Sequence, residues 1–406
     1  MSDAAESGPA LPLTGIRVVE FTQTIMGPCA GLLLADLGAD VIKIEPAPAG
    51  DNTRRLPGFA SGFFGYFNRN KRSLAVNLKE PEGRDLVLRL VADADVVIEN
   101  FAPGTMERLG CGWDALSKVN PRLVYCACKG FLAGPYEHRP ALDEIVQFMG
   151  GLAYMTGPPG RPLRAGTSVI DIMGGTFGVV AILAALQERA RTGRGQLVKS
   201  ALFESTVFLM GQHMAGRVLT GEAIPPMPAR RGAWGVYEPF ETSDDDQIFV
   251  GITSNGHWTR FCDAFGRPDL RDDPRLSTNE SRVKERSWLI PAVAEVLGHY
   301  PKAEIARRCE AASIPYAPVA TVDDLFDDPH LNAGALVEVN LPGNVRTKLP
   351  RVPVEMDGHD LGLRREAPQL GEHTREILAE IGLDETRLAD LEARRIVVCD
   401  GGDALG

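Results

Sequence analysis

The sequence lacks the marks of several large protein classes. Its seven cysteines (Cys29, Cys111, Cys126, Cys128, Cys262, Cys309 and Cys399) are odd in number, scattered, and never spaced C-x-x-C. This argues against a disulfide framework or a structural zinc site and fits a reducing compartment, so a cytoplasmic location is expected. Positive charge is in the minority: 43 Lys and Arg face 54 Asp and Glu, a formal charge of −11. Neither nucleic acid nor a membrane is expected as a partner. The chain opens without a basic segment followed by an apolar one, so no secretory signal is read. Its best apolar run, residues 172–186, is short and glycine-rich and is not expected to span a bilayer. There is no Walker A loop, no G-x-G-x-x-G, no H-E-x-x-H and no G-x-S-x-G. The seven histidines never pair at metal-ligand spacing. No metal and no permanently bound cofactor are expected.

What is present is a 406-residue chain, 44% hydrophobic and 24% charged, long enough for two domains. Apolar runs at 16–21, 41–45, 74–79, 96–99 and 123–128 read as buried strands. Helical spacing fills the gaps at 30–37 and 81–92, the second with Pro81 at its first turn. Strand–helix–strand alternation predicts an α/β fold, a Rossmann-like parallel sheet, without its dinucleotide. The Pro-rich stretch Ile224-Pro225-Pro226-Met227-Pro228-Ala229-Arg230-Arg231-Gly232 reads as a linker. We therefore expect a large domain at 12–222, completed by 336–395, and a small α+β domain at 225–335. Residues 1–11 and 396–406 are expected to be flexible. Asp244-Asp245-Asp246, between two apolar runs, reads as a hairpin turn rather than a cation site.

The stretch with the most chemical content is Arg164-Ala165-Gly166-Thr167-Ser168-Val169-Ile170-Asp171-Ile172-Met173-Gly174-Gly175-Thr176. Asp171 is a lone carboxylate at the head of an apolar helix rich in Gly and Ala. One reading makes it the helix N-cap, accepting free backbone N–H groups. The other makes it a nucleophile, kept ionised by the helix end. The small residues behind it leave room for another backbone or a ligand. Basic residues at strand ends and loops (Arg69, Lys71, Arg72, Lys79, Arg108, Lys129) read either as phosphate ligands or as a solvated surface.

Several stretches resemble, in order and spacing, the class III CoA-transferases (the formyl-CoA and carnitine CoA-transferase family) over about residues 12–395. They are Gly27-Pro28, Asp36-Leu37-Gly38-Ala39-Asp40-Val41-Ile42-Lys43-Ile44-Glu45, Gly50-Asp51, Asn68-Arg69-Asn70-Lys71-Arg72-Ser73, Glu99-Asn100-Phe101, Pro103-Gly104, the Asp171 segment, Arg191-Thr192-Gly193-Arg194-Gly195-Gln196, Ile314-Pro315-Tyr316-Ala317-Pro318 and Leu370-Gly371-Glu372-His373-Thr374.

The resemblance implies a Rossmann-like large domain, a linked small domain, and two chains interlocked as a homodimer. It implies that Asp171 attacks an acyl-CoA thioester and carries the CoA as an aspartyl thioester to a free carboxylic acid, with coenzyme A as substrate rather than resident cofactor. CoA contacts carried over by the resemblance are Gln23, Val76, Asn77, Lys79, Asn100, Phe101, Arg108 and Asp143. Ile25, Pro46 and Leu142 stand where formyl-CoA transferase has glutamine, arginine and tyrosine, which points away from formyl-CoA and oxalate. Arg230 and Arg231 are candidates to hold the far carboxylate of a dicarboxylic acceptor, with succinyl-CoA as donor. Two other readings remain: an α-methylacyl-CoA racemase, which would need a second base where Leu142 stands, and a CoA-binding protein without turnover.

Overall fold

The computed structural model describes residues 10–229 and 232–399. Its described residues fall into two compact units, one reaching Pro228 and resuming at Ala333, the other within Ala229–Asn332.

The larger unit is built on a seven-stranded sheet. Six strands run parallel: β1 (Arg17–Phe21), β2 (Asp40–Pro46), β3 (Lys71–Val76), β4 (Val96–Glu99), β5 (Val124–Lys129) and β6 (Leu197–Ala201). Their spatial order is β3-β2-β1-β4-β5-β6, with a terminal strand, Val397–Val398, antiparallel on the outer edge of β3. The chain first builds outward from β1 to β3, then returns to the other side of β1 for β4. The crevice at the carboxyl ends of β1 and β4 is thus the topological switch point, where open α/β sheets bind ligands.

Five helices matter for the site: α1 (Met26–Asp36), α2 (Pro81–Ala92), α3 (Asp143–Met149), α4 (Val169–Thr192) and α5 (Leu202–Thr220). Strand side chains alternate between two cores. Val19, Ile42, Leu74 and Val97 meet α2 and the helices near the C-terminus on one face. Val18, Val41, Val96 and Val124 meet α1 and α4 on the other. Each such side chain contributes roughly 1.5–3 kcal/mol on burial.

Several elements differ from the sequence reading. Helix α1 begins at Met26 and takes in Gly27-Pro28, because a proline in a first turn removes an N–H that no carbonyl awaits. Helix α4 runs 24 residues to a stop at the left-handed Gly193, where the sequence also ends it, yet it is long and apolar enough by composition to cross a membrane. Its Ile170, Val179, Ile182 and Ala185 nonetheless pack into the core against the sheet and α1. The tail expected to be flexible from 396 holds the edge strand Val397–Val398, with Ile396 and Val397 buried; helix Glu385–Ala393 before it carries Leu388 and Leu391 into the same core. The expectation of flexible ends otherwise falls mostly outside the described residues.

Strand β3 also starts earlier than predicted, and this changes the reading of the basic segment. Arg69, Lys71 and Arg72 are neither phosphate ligands nor surface: all three are buried. Arg69 pairs with Asp36, Lys71 with Glu20, and Arg72 with Asp40 and Glu380. Lys71 Nζ also donates to the Pro28 carbonyl at 2.9 Å, tying β3 to the first turn of α1.

The smaller unit has an antiparallel sheet, β7 (Val236–Glu241), β8 (Gln247–Ile252) and β9 (Tyr316–Pro318), covered by helices that bury Trp258, Phe261, Leu289, Val293 and Ile305. Asp244-Asp245-Asp246 forms the β7–β8 turn, with Asp245 in the left-handed region and Asp244 accepting from the Lys302 amide.

Candidate active site

The loop after β1 is fixed at each residue. Thr22 gives its carbonyl to Lys43 at 2.7 Å. Gln23 is clamped on both backbone groups by one side chain: its N–H donates to Asn100 Oδ1 at 2.9 Å, and its carbonyl accepts from Asn100 Nδ2 at 2.8 Å. The Thr24 amide donates to Thr53 Oγ1 at 2.9 Å. Thr24 sits at φ 67°, a strained conformation for a β-branched residue, of order 1–3 kcal/mol, that the surrounding bonds must hold. Gln23 and Thr24 present exposed side chains from this rigid support.

Asp171 reaches the same region through α4. The helix crosses α1 at backbone distance: a Cβ on Gly175 would stand 2.5 Å from the Met26 carbonyl oxygen, and one on Gly174 would stand 2.7 Å from Met26 Cε. The pair of glycines therefore sets how far α4 advances along α1, and with it the position of Asp171 one turn earlier. Cys29, also on α1, lies with its Sγ 4.0 Å from the Ile172 carbonyl. It is no rival nucleophile, since burial pushes its thiol up to about 12.

Asp171 is not the N-cap. It lies inside the first turn, and the N-cap position belongs to Ser168, whose side chain makes no capping bond. The capping carboxylate comes from α3: Asp143 Oδ2 accepts from the amides of Ile170 at 2.8 Å and Asp171 at 3.0 Å. Its Oδ1 accepts from Gln147 Nε2, and Gln147 Oε1 accepts from the Ala165 amide at 2.8 Å. Asp143 is therefore a buried positioning residue. Both its oxygens already accept from protein donors.

This arrangement also works against the expected tendency of Asp171 to stay ionised at the helix end. Asp143 has taken the amides that would have stabilised the Asp171 carboxylate. Burial, then the charge of Asp143, then that of Glu144, push the Asp171 carboxyl up to about 7. A carboxylate of that basicity is a better nucleophile than an ordinary aspartate, while still partly ionised at neutral pH. Glu144 itself pairs with Arg164 at 2.9 Å.

The remaining candidates follow the carboxyl ends of the strands. Val76 closes β3 and is wholly buried, its carbonyl accepting from the Ala47 amide at 3.3 Å. Asn77 Oδ1 accepts from the Lys79 amide at 3.1 Å, turning the chain into α2 and leaving Lys79 exposed. Asn100 and Phe101 follow β4; the Phe101 carbonyl accepts from Lys129, which also pairs with Glu99. Arg108 is exposed beyond them, with Nη2 donating to Thr105 Oγ1 at 2.8 Å. Direct bonds thus join Gln23 to Asn100 and Asp143 to Asp171. Arg230 and Arg231 lie outside the described residues. Sequence reasoning missed Gln147, Glu144 and Arg164 around Asp171, although Asp143 and Gln147 stand four apart, the spacing of one helix face.

The model of the family described as CoA-transferase family III matches residues 13–374. The chain is 35% identical over 398 residues to the succinate–glutarate CoA-transferase of Agrobacterium fabrum, covering 94% of this chain and 98% of that one. It is 36% identical over 393 residues to the succinyl-CoA:mesaconate CoA-transferase of Haloarcula marismortui, covering 92% and 97%. The crystal structure of a CaiB/BaiF family protein from Brucella suis superposes with a TM-score of 0.83 at 34% identity, covering 92% of this chain and all of that one. With a parallel sheet open at its switch point and a basic aspartate at the head of a core helix, this chain belongs to CoA-transferase family III.

Proposed function

We propose that this CoA-transferase moves CoA from succinyl-CoA to a second dicarboxylic acid through a covalent intermediate on Asp171. An Asp171 oxygen attacks the donor thioester carbon, the C–S bond breaks, and CoA thiolate leaves a mixed anhydride. The thiolate attacks the Asp171 carbonyl carbon, releasing the donor acid as its carboxylate and leaving an aspartyl-CoA thioester. The acceptor carboxylate displaces the thiolate to form a second anhydride. Attack of the thiolate on the acceptor carbonyl then gives the new acyl-CoA and frees Asp171. Each thioester is exchanged for another bond of comparable energy, so the cycle consumes no ATP.

The observation that carries this reading is the Asp171 carboxyl itself, half-buried, raised to about 7, and without a hydrogen-bond or ion-pair partner among the described residues. The donor and acceptor classes are taken from the names of the two relatives. The racemase reading lacks a second base, since the matching position holds Leu142. The seven cysteines carry no disulfide, which supports a place for the enzyme in the reducing cytoplasm. We further propose that it works as a homodimer, because the larger unit exposes an apolar surface on α3, α4 and α5, including Phe148, Val180, Phe208, Val218 and Leu219.

The test is intact-protein mass spectrometry after mixing with succinyl-CoA and no acceptor. Wild type should gain CoA less water, and Asp171→Asn should not. An adduct on both proteins, or on neither while turnover proceeds in wild type, would sink the covalent step.

A further inference from the structure

The acidic surroundings of Asp171 raise a problem for the reaction just proposed, on which this inference rests. Asp143 and Glu144 both act on Asp171 by their negative charge. A dicarboxylate must bring one carboxylate to the Asp171 thioester carbon and leave the other beside these groups. That second charge needs a cation. Among the described residues, Arg164 is the one cation that ion-pairs with Asp143, Glu144 or Asp171.

Arg164 is built for such a role at its root and free at its head. The next residue, Ala165, is tied by its amide to Gln147 Oε1, the same side chain that holds the Asp143 cap. The Arg164 backbone is therefore anchored to the device that positions Asp171. Its guanidinium, by contrast, makes one ion pair among the described residues, Nη1 to Glu144 Oε1 at 2.9 Å, with both side chains more than 40% exposed. An ion pair this exposed is weak and readily exchanged. A guanidinium also offers the planar fork that a free carboxylate fits in bidentate fashion.

We propose that Arg164 binds the far carboxylate of the dicarboxylic substrate, and that Glu144 holds its place when no substrate is bound. Substrate then displaces Glu144 from Arg164, and the enzyme selects diacids over monoacids of the same length.

The experiment compares glutarate with valerate, five-carbon acids differing in one carboxyl, as acceptors from succinyl-CoA. The readouts are steady-state turnover and discharge of the preformed CoA adduct. Wild type should prefer glutarate. Arg164→Gln should cut the glutarate-to-valerate ratio of kcat/KM at least 10-fold, mostly through the glutarate KM, and Arg164→Lys should restore part of it. Glu144→Gln, which removes the competing carboxylate, should lower the glutarate KM severalfold. An unchanged ratio in Arg164→Gln, whatever its overall rate, overturns the proposal, as does a raised glutarate KM in Glu144→Gln. Should wild type turn over without an adduct, the covalent step falls while the same KM ratio still decides the role of Arg164. Should it turn over no carboxylate with any acyl-CoA, the transferase reading falls and takes this inference with it.

Discussion

In the reaction we propose, a single carboxyl group carries most of the chemistry, and its charge state depends on a neighbour 28 positions earlier. Asp143 occupies the amides of Ile170 and Asp171 and faces Asp171 together with Glu144, whose own charge is paired with Arg164. Cys29 on α1 is held neutral by burial. The native Asp171 keeps its proton from the ordinary 3.8 up to about 7, so the nucleophilic form grows as pH rises across that range. Adduct formation should therefore show an acid limb near pH 7, rising tenfold per pH unit below it. Asp143→Asn removes the largest of the two raising charges. It should move the limb down by about one unit with little loss of helix capping, since Asn caps about as well as Asp. Stopped-flow rates of adduct formation from pH 5 to 9 measure the limb, and thermal melts measure the cap. A limb that stays put in Asp143→Asn would show that burial alone sets the basicity. None of this geometry was legible in the sequence. Asp171 stood out as a carboxylate in an apolar run, but its partner sits on another helix, and capping is read locally as a Ser, Thr, Asp or Asn beside the first turn.

At the scale of elements, legibility followed the reach of the forces involved. Helix α2 and strand β4 stand at their predicted bounds, 81–92 and 96–99, because a proline at the first turn and a short apolar run are local signals. Strand β3 was placed three residues late. Its Lys71 and Arg72 look like loop residues until Glu20 on β1 and Asp40 on β2 are seen to neutralise them. The glycines of α4 had a legible purpose, close approach, but not a legible partner. That partner is α1, and the contact can be tested by two substitutions of equal chemistry. Gly175→Ala drives a methyl to 2.5 Å from the Met26 carbonyl, forcing α4 away from α1 at a cost of about 1–3 kcal/mol. Gly178→Ala places its methyl 3.5 Å from Cys126 Sγ and Cys128 Sγ, ordinary contact, and gains up to about 1 kcal/mol of helix propensity. The first should lose both melting temperature and adduct formation, and the second should lose neither. Equal effects from the two would mean that the α1–α4 spacing does not position Asp171.

For the whole molecule, the exposed apolar surface is the property that a single chain leaves unexplained. Monomeric proteins rarely leave contiguous apolar patches beyond a few hundred Å² open to water. Here Val218 is 81% and Leu219 86% exposed at the end of α5, and Phe208 is 69% exposed one face further back. Helix α4 adds Val180 at 57%, on the side away from its buried Val179 and Ile182. These side chains come from the helix that bears Asp171 and from the one packed beside it, so a partner that covers them would brace the site as well as hide the surface. A second copy is the occupant we propose, and charge placed on that surface should then separate the copies and weaken catalysis together. Phe208→Glu combined with Val218→Glu removes no buried side chain from the core, so the fold should survive with a cooperative melt. Sedimentation velocity should shift from a dimer to a monomer, and adduct formation should fall in step with the dimer fraction. A wild-type chain that sediments as a monomer would leave the apolar face to some other partner. A monomeric variant that keeps its full rate would instead show that each chain holds a complete site, with Asp171 braced from within by α1 and α3 alone.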